Sequence, residues 1–209
     1  MFERLFPYQQ TGAKFLSDKN LALLADEMGL GKTPQAIAAA DLVGAKSVCV
    51  ICPAIGRINW RREFEKFSNR VWTEENLVIS SFESAHKISK EKTFDVLIVD
   101  EAHYLKSHTA KRTALIYGKD GLVRRSKRVW ALTGTPAPNN ASELWTLLFT
   151  FGATRLGFDQ FVERYCLFYN SSYGRMITGN NLITLPELQG LLSQEIGRAS
   201  CRERVSSPV

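Results

Sequence analysis

The stretch Asp26-Glu27-Met28-Gly29-Leu30-Gly31-Lys32-Thr33 decides the fold of this 209-residue chain. It follows the apolar run from Leu21 to Ala25, which predicts a strand, and precedes a helical pattern from Pro34 to Asp41. A strand, a glycine turn and a helix N-terminus form a phosphate-binding loop, because the free N–H groups of the helix point at an anion. Gly29 and Gly31 allow the backbone to approach that anion closely.

The loop residues also carry chemistry. We expect Lys32 to reach the β- and γ-phosphates of a nucleoside triphosphate and the Thr33 hydroxyl to hold Mg²⁺. The standard loop pattern begins with glycine, and this chain has Asp26 there, so the match is good but incomplete.

A second motif, an apolar run followed by two acidic residues, supports the interpretation of the loop. The run from Phe94 to Val99 is too apolar to have a solvated face, so it predicts a buried parallel strand. Asp100 and Glu101 follow, where open α/β sheets bind ligands. Asp100 is the expected partner of the Mg²⁺, and Glu101 is expected to orient and deprotonate an attacking water. The alternative is that the two acidic residues merely follow a strand on an ordinary protein surface. The presence of two motifs in the right order favours instead the binding of a nucleoside triphosphate with Mg²⁺.

Composition is compatible with one sizeable core, since 44% of the residues are apolar. We find no apolar run as long as a membrane span and no signal-peptide pattern, so the expected location is the cytoplasm, or the nucleus if the source is eukaryotic. The four cysteines suggest reduced thiols and no disulfide framework. Cys49 and Cys52 have metal-ligand spacing but lie in a strand-like run without a second pair, which disfavours a zinc or redox site.

The net charge of +6 is unevenly distributed, because residues 102–130 hold eight basic residues against the single acidic Asp120. Such a segment can be an ordinary solvated surface. Since it directly follows the two carboxylates, a polyanionic partner is the other interpretation.

Strand and helix patterns alternate along the chain. The further expected strands are Ser47 to Cys52, Leu77 to Ser80 and Arg128 to Leu132, and the further expected helices are Pro7 to Leu16, Ile58 to Phe67 and Ser142 to Phe149. Alternation of this kind predicts an α/β fold with a mostly parallel sheet covered by helices on both faces.

Five groups of residues resemble, in kind and in order, the motifs of the first RecA-like lobe of the Swi/Snf-type ATPases, P-loop DNA translocases of helicase superfamily II. They are Pro7-Tyr8-Gln9, Asp26 to Thr33, Asp100 to His103, Leu132-Thr133-Gly134-Thr135-Pro136 and Glu143-Leu144-Trp145. The likeness runs from about Leu5 to Gln194, and Asp26 is what this family has at the start of the loop.

The resemblance implies roles for these residues. Glu101 and Lys32 are the catalytic residues, Thr33 and Asp100 hold Mg²⁺, and Gln9 reads the adenine edge. The expected ATP-binding residues are Gln9, Asp26, Glu27, Met28, Gly29, Leu30, Gly31, Lys32 and Thr33. His103, Thr133, Gly134 and Thr135 couple this site to DNA movement.

Segments after two of the strands are similar to those that line the DNA backbone in the family. They predict double-stranded DNA as partner, contacted without sequence preference by Pro53, Arg57, Ser80, Ser81 and Lys106. A finer likeness, in Phe161 to Cys166 and Gly179 to Leu192, is to the annealing-helicase branch of the family.

The resemblance divides the chain into a RecA-like lobe over residues 1–152 and a helical extension over residues 153–194. The run from Glu195 to Val205 matches a translated sequencing adapter residue for residue, so we interpret residues 195–209 as a non-biological tail. The family's second RecA-like lobe, with its arginine fingers, would then be missing.

The sequence therefore predicts the ATP-binding lobe of a double-stranded DNA translocase. Two alternatives remain at this point. One is a strand-separating helicase of the same superfamily, which uses the same first-lobe chemistry, and the other is a nucleotide- and DNA-binding fragment without turnover.

Overall fold

A computed structural model of the protein describes residues 2–137, 139–172, 174–193 and, as backbone alone, 198–199. The helices are α1 (Pro7–Asp18), α2 (Lys32–Leu42), α3 (Arg57–Phe67), α4 (Lys111–Tyr117), α5 (Trp145–Thr150), α6 (Phe158–Tyr165) and α7 (Leu185–Leu191). The strands are β1 (Leu21–Leu24), β2 (Val48–Cys52), β3 (Leu77–Ser81), β4 (Phe94–Asp100), β5 (Ser126–Leu132), β6 (Cys166–Ser171), β7 (Gly174–Asn180) and β8 (Arg198–Ala199). Each of the predicted helices and strands of the lobe is present, with ends displaced by at most three residues.

The main sheet has the strand order β3-β2-β4-β5-β1-β8, and all of its pairs are parallel. Its central strands are buried on both faces, which explains why β2 and β4 are continuously apolar. This confirms the predicted RecA-like α/β fold. The two residues of β8 pair with β1, but residues 195–197 and 200–209 lie outside the described part, so the interpretation of the tail stays a prediction.

Two hydrophobic cores cover the two faces of the sheet. One core packs α1, α2 and α3 against alternate strand residues such as Val50, Ile98 and Trp130, all fully buried. The other core packs α4 to α7 against the intervening residues, among them Ile51 and Val99. The side-chain alternation of a strand sends neighbours to opposite faces, so each strand contributes to both cores.

The extension after the lobe combines two short helices, α6 and α7, with an antiparallel hairpin of β6 and β7. The helices agree with the predicted helical extension, whereas the hairpin was not expected. Its outward side chains include the exposed Leu167, Tyr169 and Met176, so the strand pattern lacks the clean apolar–polar alternation from which a hairpin is recognised.

The C-x-x-C spacing in β2 is structural. Cys49 packs in the core beneath α4 to α7, whereas Cys52 packs in the core beneath α1 to α3. Since the two thiols point to opposite faces, they form neither a disulfide nor a shared metal site. Burial raises the pKa of each thiol to about 12, so both remain protonated. None of the described helices is both long and apolar enough to cross a membrane.

The packing of Phe64 of α3 in the core against the sheet generates a stability prediction. Phe64 is 1% exposed, so Phe64→Ala leaves a cavity and should lower the free energy of unfolding by about 3–5 kcal/mol in urea denaturation. Ile55→Ala is the matched control, because Ile55 is 93% exposed and its loss should change stability by less than about 0.5 kcal/mol. Equal losses for the two variants would contradict the position of this core.

Candidate functional site

The carboxyl ends of three neighbouring strands meet at one edge of the sheet. Strand β5 pairs with β1 on one side and with β4 on the other. The phosphate loop follows β1, Asp100 ends β4, and Thr133 follows β5. Residues that are far apart in the sequence are therefore brought together because all three strands run parallel.

The phosphate loop has the backbone that its glycines predict. Gly29 and Gly31 have φ values of 85° and 69°, in the left-handed region that favours glycine. Gly31 caps α2, whose first residue is Lys32. The N-terminus of this eleven-residue helix therefore opens onto the loop with its free N–H groups.

Lys32 is held close to the loop backbone. Its Nζ donates to the carbonyl oxygens of Asp26 at 2.9 Å and of Glu27 at 3.1 Å. The side chain is 9% exposed, so the ammonium is a buried positive charge compensated by carbonyl dipoles. Such a group is suited to bind an anion at the loop.

Gln9, on α1, contacts the loop from outside. Its Nε2 donates to the Leu30 carbonyl at 3.2 Å, and its Oε1 accepts from the Phe6 N–H at 3.1 Å. Gln9 thus lies beside the phosphate loop, as its predicted role requires. Its amide is engaged with the protein at both ends, and its role at an adenine edge stays a prediction.

Asp100 is a largely buried carboxylate with two protein donors. Its Oδ2 accepts from the Trp60 indole at 2.8 Å, and its Oδ1 accepts from the Glu101 N–H at 3.0 Å. Burial raises the pKa of Asp100 above its ordinary value. The Trp60 hydrogen bond and, more weakly, the Lys32 ammonium act in the opposite direction.

Glu101 adopts a left-handed backbone with φ 50° and ψ 51°, and it is the single non-glycine residue with positive φ among those that the structure describes. Such a conformation costs about 1–2 kcal/mol and is concentrated at functional sites. The turn brings Glu101 Oε2 to 3.2 Å from His103 Nδ1. His103 Nδ1 also lies 3.1 Å from Thr133 Oγ1, which accepts the N–H of Thr135.

A continuous set of contacts therefore joins the predicted coupling residues. Gly134 completes it, because a Cβ at this position would lie 2.8 Å from the Met28 side chain of the phosphate loop. The structure thus places His103, Thr133, Gly134 and Thr135 between Glu101 and the loop, and their coupling function stays a prediction.

The predicted DNA contacts are only partly available at the surface. Arg57 is exposed at the start of α3, and Pro53 is half-buried just before it. Ser80 and Ser81 are buried, and Ser81 Oγ accepts the N–H of Ser84. Lys106 forms a 2.7 Å ion pair with Glu143, so its ammonium already has a partner.

The basic segment 102–130 does not form one surface. Arg128 donates to the carbonyls of Ser17 and Lys19, and Lys127 pairs with Asp95 at 2.7 Å. Both lie at the start of β5, on the sheet edge opposite the carboxylates. The cations of this segment therefore do not share one face, and a polyanionic partner for the segment stays a prediction.

A basic groove lies instead at the ends of β2 and β3. It has a volume of about 410 Å³ and is lined by Arg57, Ser80, Ser84, Lys87, Ser89 and Lys92, together with Val78, Ile79 and Ile88. Charge counting along the chain missed this groove, because its cations are separated by up to 35 residues of sequence.

Two further side chains were not assigned from the sequence. Trp60 is buried in the core, and its indole also donates to Asp100. Gln35 is fully buried in α2, and its Nε2 donates to Asp26 Oδ2 at 3.0 Å. A single amide inside the otherwise apolar run from Pro34 to Ala40 was the available signal.

The donor set at this edge fits a magnesium ion that arrives with a polyphosphate. Thr33 and Asp100 provide oxygen atoms, which Mg²⁺ prefers, and the ion is commonly held by one or two protein groups together with phosphates. Among the described residues, no group of three or more histidine, cysteine, aspartate or glutamate side chains could hold a metal alone.

The fold and this edge together define a RecA-like α/β lobe with a phosphate loop. A family model for the SNF2-related domain matches residues 8–74 and 68–165, and the chain belongs to that family. This confirms the resemblance to the Swi/Snf-type ATPases.

Individual relatives agree with the assignment. The chain is 31% identical over 198 residues to the DNA annealing helicase and endonuclease ZRANB3 of Bos taurus, covering 82% of this chain and 18% of the relative. It is also similar to the SWI/SNF-related matrix-associated actin-dependent regulator of chromatin subfamily A-like protein 1 of Xenopus tropicalis. The two are 32% identical over 214 residues, which cover 92% of this chain and 22% of the relative. The chain thus spans about a fifth of these relatives, and the first of them agrees with the annealing-helicase likeness.

The fold is also that of a solved structure. The Sulfolobus solfataricus SWI2/SNF2 ATPase core in complex with dsDNA superimposes with a TM-score of 0.74 at 24% identity, covering 96% of this chain and 45% of that chain. This likeness confirms the fold.

The raised pKa of Asp100 generates a prediction. A carboxyl whose pKa is higher in the folded than in the unfolded chain stabilises the fold at low pH and loses that contribution as the pH rises. The thermal midpoint of the wild type should therefore fall relative to that of Asp100→Asn between about pH 4 and about pH 7.

Asp95→Asn is the control, because the hydrogen bond from Lys127 lowers the pKa of Asp95. Its stabilising contribution is present above the unfolded pKa and is lost only toward lower pH. A midpoint difference between wild type and Asp100→Asn that stays constant over this range would contradict the buried environment of Asp100.

Proposed function

We propose that this lobe binds ATP with Mg²⁺ and supplies the water-activating carboxylate of a DNA-stimulated ATPase that moves on double-stranded DNA. The observation that carries the proposal is the meeting of Lys32, Asp100 and Glu101 at one sheet edge, at the ends of strands that flank β5. Membership of the SNF2-related family, whose members use nucleotides, supports it.

Each chain residue has a distinct part in this chemistry. The N–H groups of the loop and the start of α2 bind phosphate oxygens, and Lys32 neutralises their charge. Glu101 accepts a proton from the attacking water, and His103 orients the Glu101 carboxylate through their 3.2 Å contact. Bound Mg²⁺, held by Thr33 and Asp100, would supply further positive charge at the phosphates.

Both oxygens of Asp100 already accept hydrogen bonds from protein groups, which is consistent with a carboxylate that contacts the ion's water ligands. The Trp60 indole fixes the carboxylate in this orientation. We therefore assign Trp60 as a residue that positions Asp100.

Double-stranded DNA is the proposed polyanion. The ZRANB3 and Xenopus relatives, which are a DNA annealing helicase and a chromatin regulator by name, motivate this part of the proposal. The basic groove offers Arg57 and Lys87 as exposed cations, and serine hydroxyls such as that of Ser89, beside the end of β3. Such groups contact phosphates and carry no sequence information.

Within the proposed function, residues 1–152 form the ATP-binding lobe and residues 153–194 an extension of it. Hydrolysis at full rate would require arginine fingers from a second RecA-like lobe, which typically contribute about 10³–10⁵ in rate. A strand-separating helicase would use the same first-lobe residues, and the similarity to the SNF2-related family favours the translocase.

The nucleotide assignment predicts a contrast between two variants. Lys32→Ala should lower the affinity for ATP–Mg²⁺ by about tenfold to a hundredfold, because a charge-assisted contact is worth about 1.5–3 kcal/mol. Glu101→Gln should bind ATP nearly as the wild type does, because it retains the loop and Asp100. Isothermal titration calorimetry measures both. Equal affinity of Lys32→Ala and wild type would exclude the proposed site.

The DNA assignment predicts a salt-dependent, sequence-independent interaction. Arg57→Ala should weaken binding to two unrelated duplexes equally and reduce the log–log salt slope by about one, as one phosphate contact is lost. Lys127→Ala is the matched control, because this lysine pairs with Asp95 on the opposite sheet edge. Fluorescence anisotropy at several salt concentrations measures the slope. An unchanged slope for Arg57→Ala, or a preference for one duplex, would contradict the proposal.

A further inference from the structure

Gln35 is a buried polar residue of α2, directly before the apolar run from Ala36 to Ala40. It is 0% exposed, and burial of an amide is unfavourable unless its groups are hydrogen-bonded. Its Nε2 lies 3.0 Å from Asp26 Oδ2, 3.2 Å from the Gly31 carbonyl oxygen and 3.3 Å from the Leu30 carbonyl oxygen. One nitrogen thus lies within hydrogen-bonding distance of three oxygen atoms of the phosphate loop.

The orientation of this amide is unambiguous. A rotation that exchanged Nε2 and Oε1 would place an oxygen against three oxygen acceptors, which is unfavourable. Within the described part of the chain, Oε1 accepts no hydrogen bond, and it rests against Gly12 of α1. A Cβ at Gly12 would lie 1.8 Å from Oε1, so the amide has room only because residue 12 is glycine.

These hydrogen bonds contribute to the direction in which the loop N–H groups point, together with the bond from the Gln35 backbone N–H to the Gly31 carbonyl at 3.5 Å. In a planar trans peptide the C=O and the following N–H point in opposite directions. Since Gln35 attracts the Leu30 and Gly31 carbonyls toward the helix, the N–H groups of Gly31 and Lys32 are turned away from it, toward the opening of the loop. Gln9 Nε2 donates to the same Leu30 carbonyl, which reinforces this orientation.

We propose that Gln35 is a positioning residue of the phosphate loop. It orients the Gly31 and Lys32 N–H groups toward the nucleotide phosphates, and Gly12 leaves the space that the Gln35 amide occupies. The inference rests on the proposed nucleotide-binding function and adds two residues to it. Gln35 itself contacts no phosphate, so its effect is exerted through the loop backbone.

Gln35→Met tests the need for an amide donor. The Met side chain is close to Gln in length and has no N–H group, so it cannot donate to Asp26, Leu30 or Gly31. The loop would then lose the contact that holds the Leu30 and Gly31 carbonyls.

The measurement is the affinity of the 209-residue chain for ATP–Mg²⁺ by calorimetry. We expect the affinity of Gln35→Met to be at least about tenfold below that of wild type. Gln160→Met, the same change on the exposed surface of α6, should match the wild type. A role in packing alone would change the thermal midpoint of the unliganded protein and would leave the affinity of the folded protein unchanged.

Gly12→Ala tests whether the Gln35 amide needs the space that Gly12 leaves. It should lower ATP affinity in the same direction, because its Cβ would displace Oε1. Gly190→Ala in α7 is the matched control, since nothing lies within 4 Å of a Cβ there. If Gln35→Met fails to fold by circular dichroism, Gly12→Ala decides alone, and unchanged affinity in that variant overturns the proposal.

The outcomes separate this inference from the function on which it rests. Wild-type protein that binds no ATP would contradict the proposed function itself. Wild-type binding that is lost in Lys32→Ala but equal in Gln35→Met would retain the function and overturn the role of Gln35.

Discussion

The pairing of β5 with both β1 and β4 is the constraint on which the site depends. Because the three strands run parallel, their carboxyl ends deliver the phosphate loop, Thr133 and Asp100 to one edge. A register shift of β5 by one residue would turn Val129 and Trp130 toward the wrong cores and would move Thr133 away from His103. The packing of the two cores therefore also determines the geometry of the site.

The residues of the site are tied to one another by short contacts, so the edge behaves as a unit. His103 joins Glu101 to Thr133, and Gly134 packs on Met28 of the loop. These contacts connect the phosphate loop with the end of β5, and the proposed coupling role of His103 and Thr133 stays a prediction.

The strands of the main sheet and the phosphate loop were predictable from the sequence. The strands are short apolar runs, and the loop has a glycine pattern that is compatible with few alternative structures. What could not be predicted depended on tertiary partners. Lys106 is an ordinary surface lysine in the sequence, and its ion pair with Glu143 joins residues that are 37 positions apart in the chain. The β6–β7 hairpin also escaped prediction, because its exposed side chains are apolar.

Gln35 is an example of the same limitation in the core. An isolated amide in an apolar helix marks a position where hydrogen bonding outweighs the cost of burial, but the sequence does not identify its partners. Those partners are set by the loop conformation and by the space above Gly12.

The most direct test of the account is the response of backbone amide resonances to ATP and Mg²⁺ in an NMR titration of the 209-residue chain. We expect the largest chemical-shift changes at the N–H groups of residues 29–33 and 100–103, with smaller changes at residues 133–135. Largest changes in the basic groove around Arg57 and Lys87, with the phosphate loop unaffected, would contradict the assignment of the sheet edge as the nucleotide site.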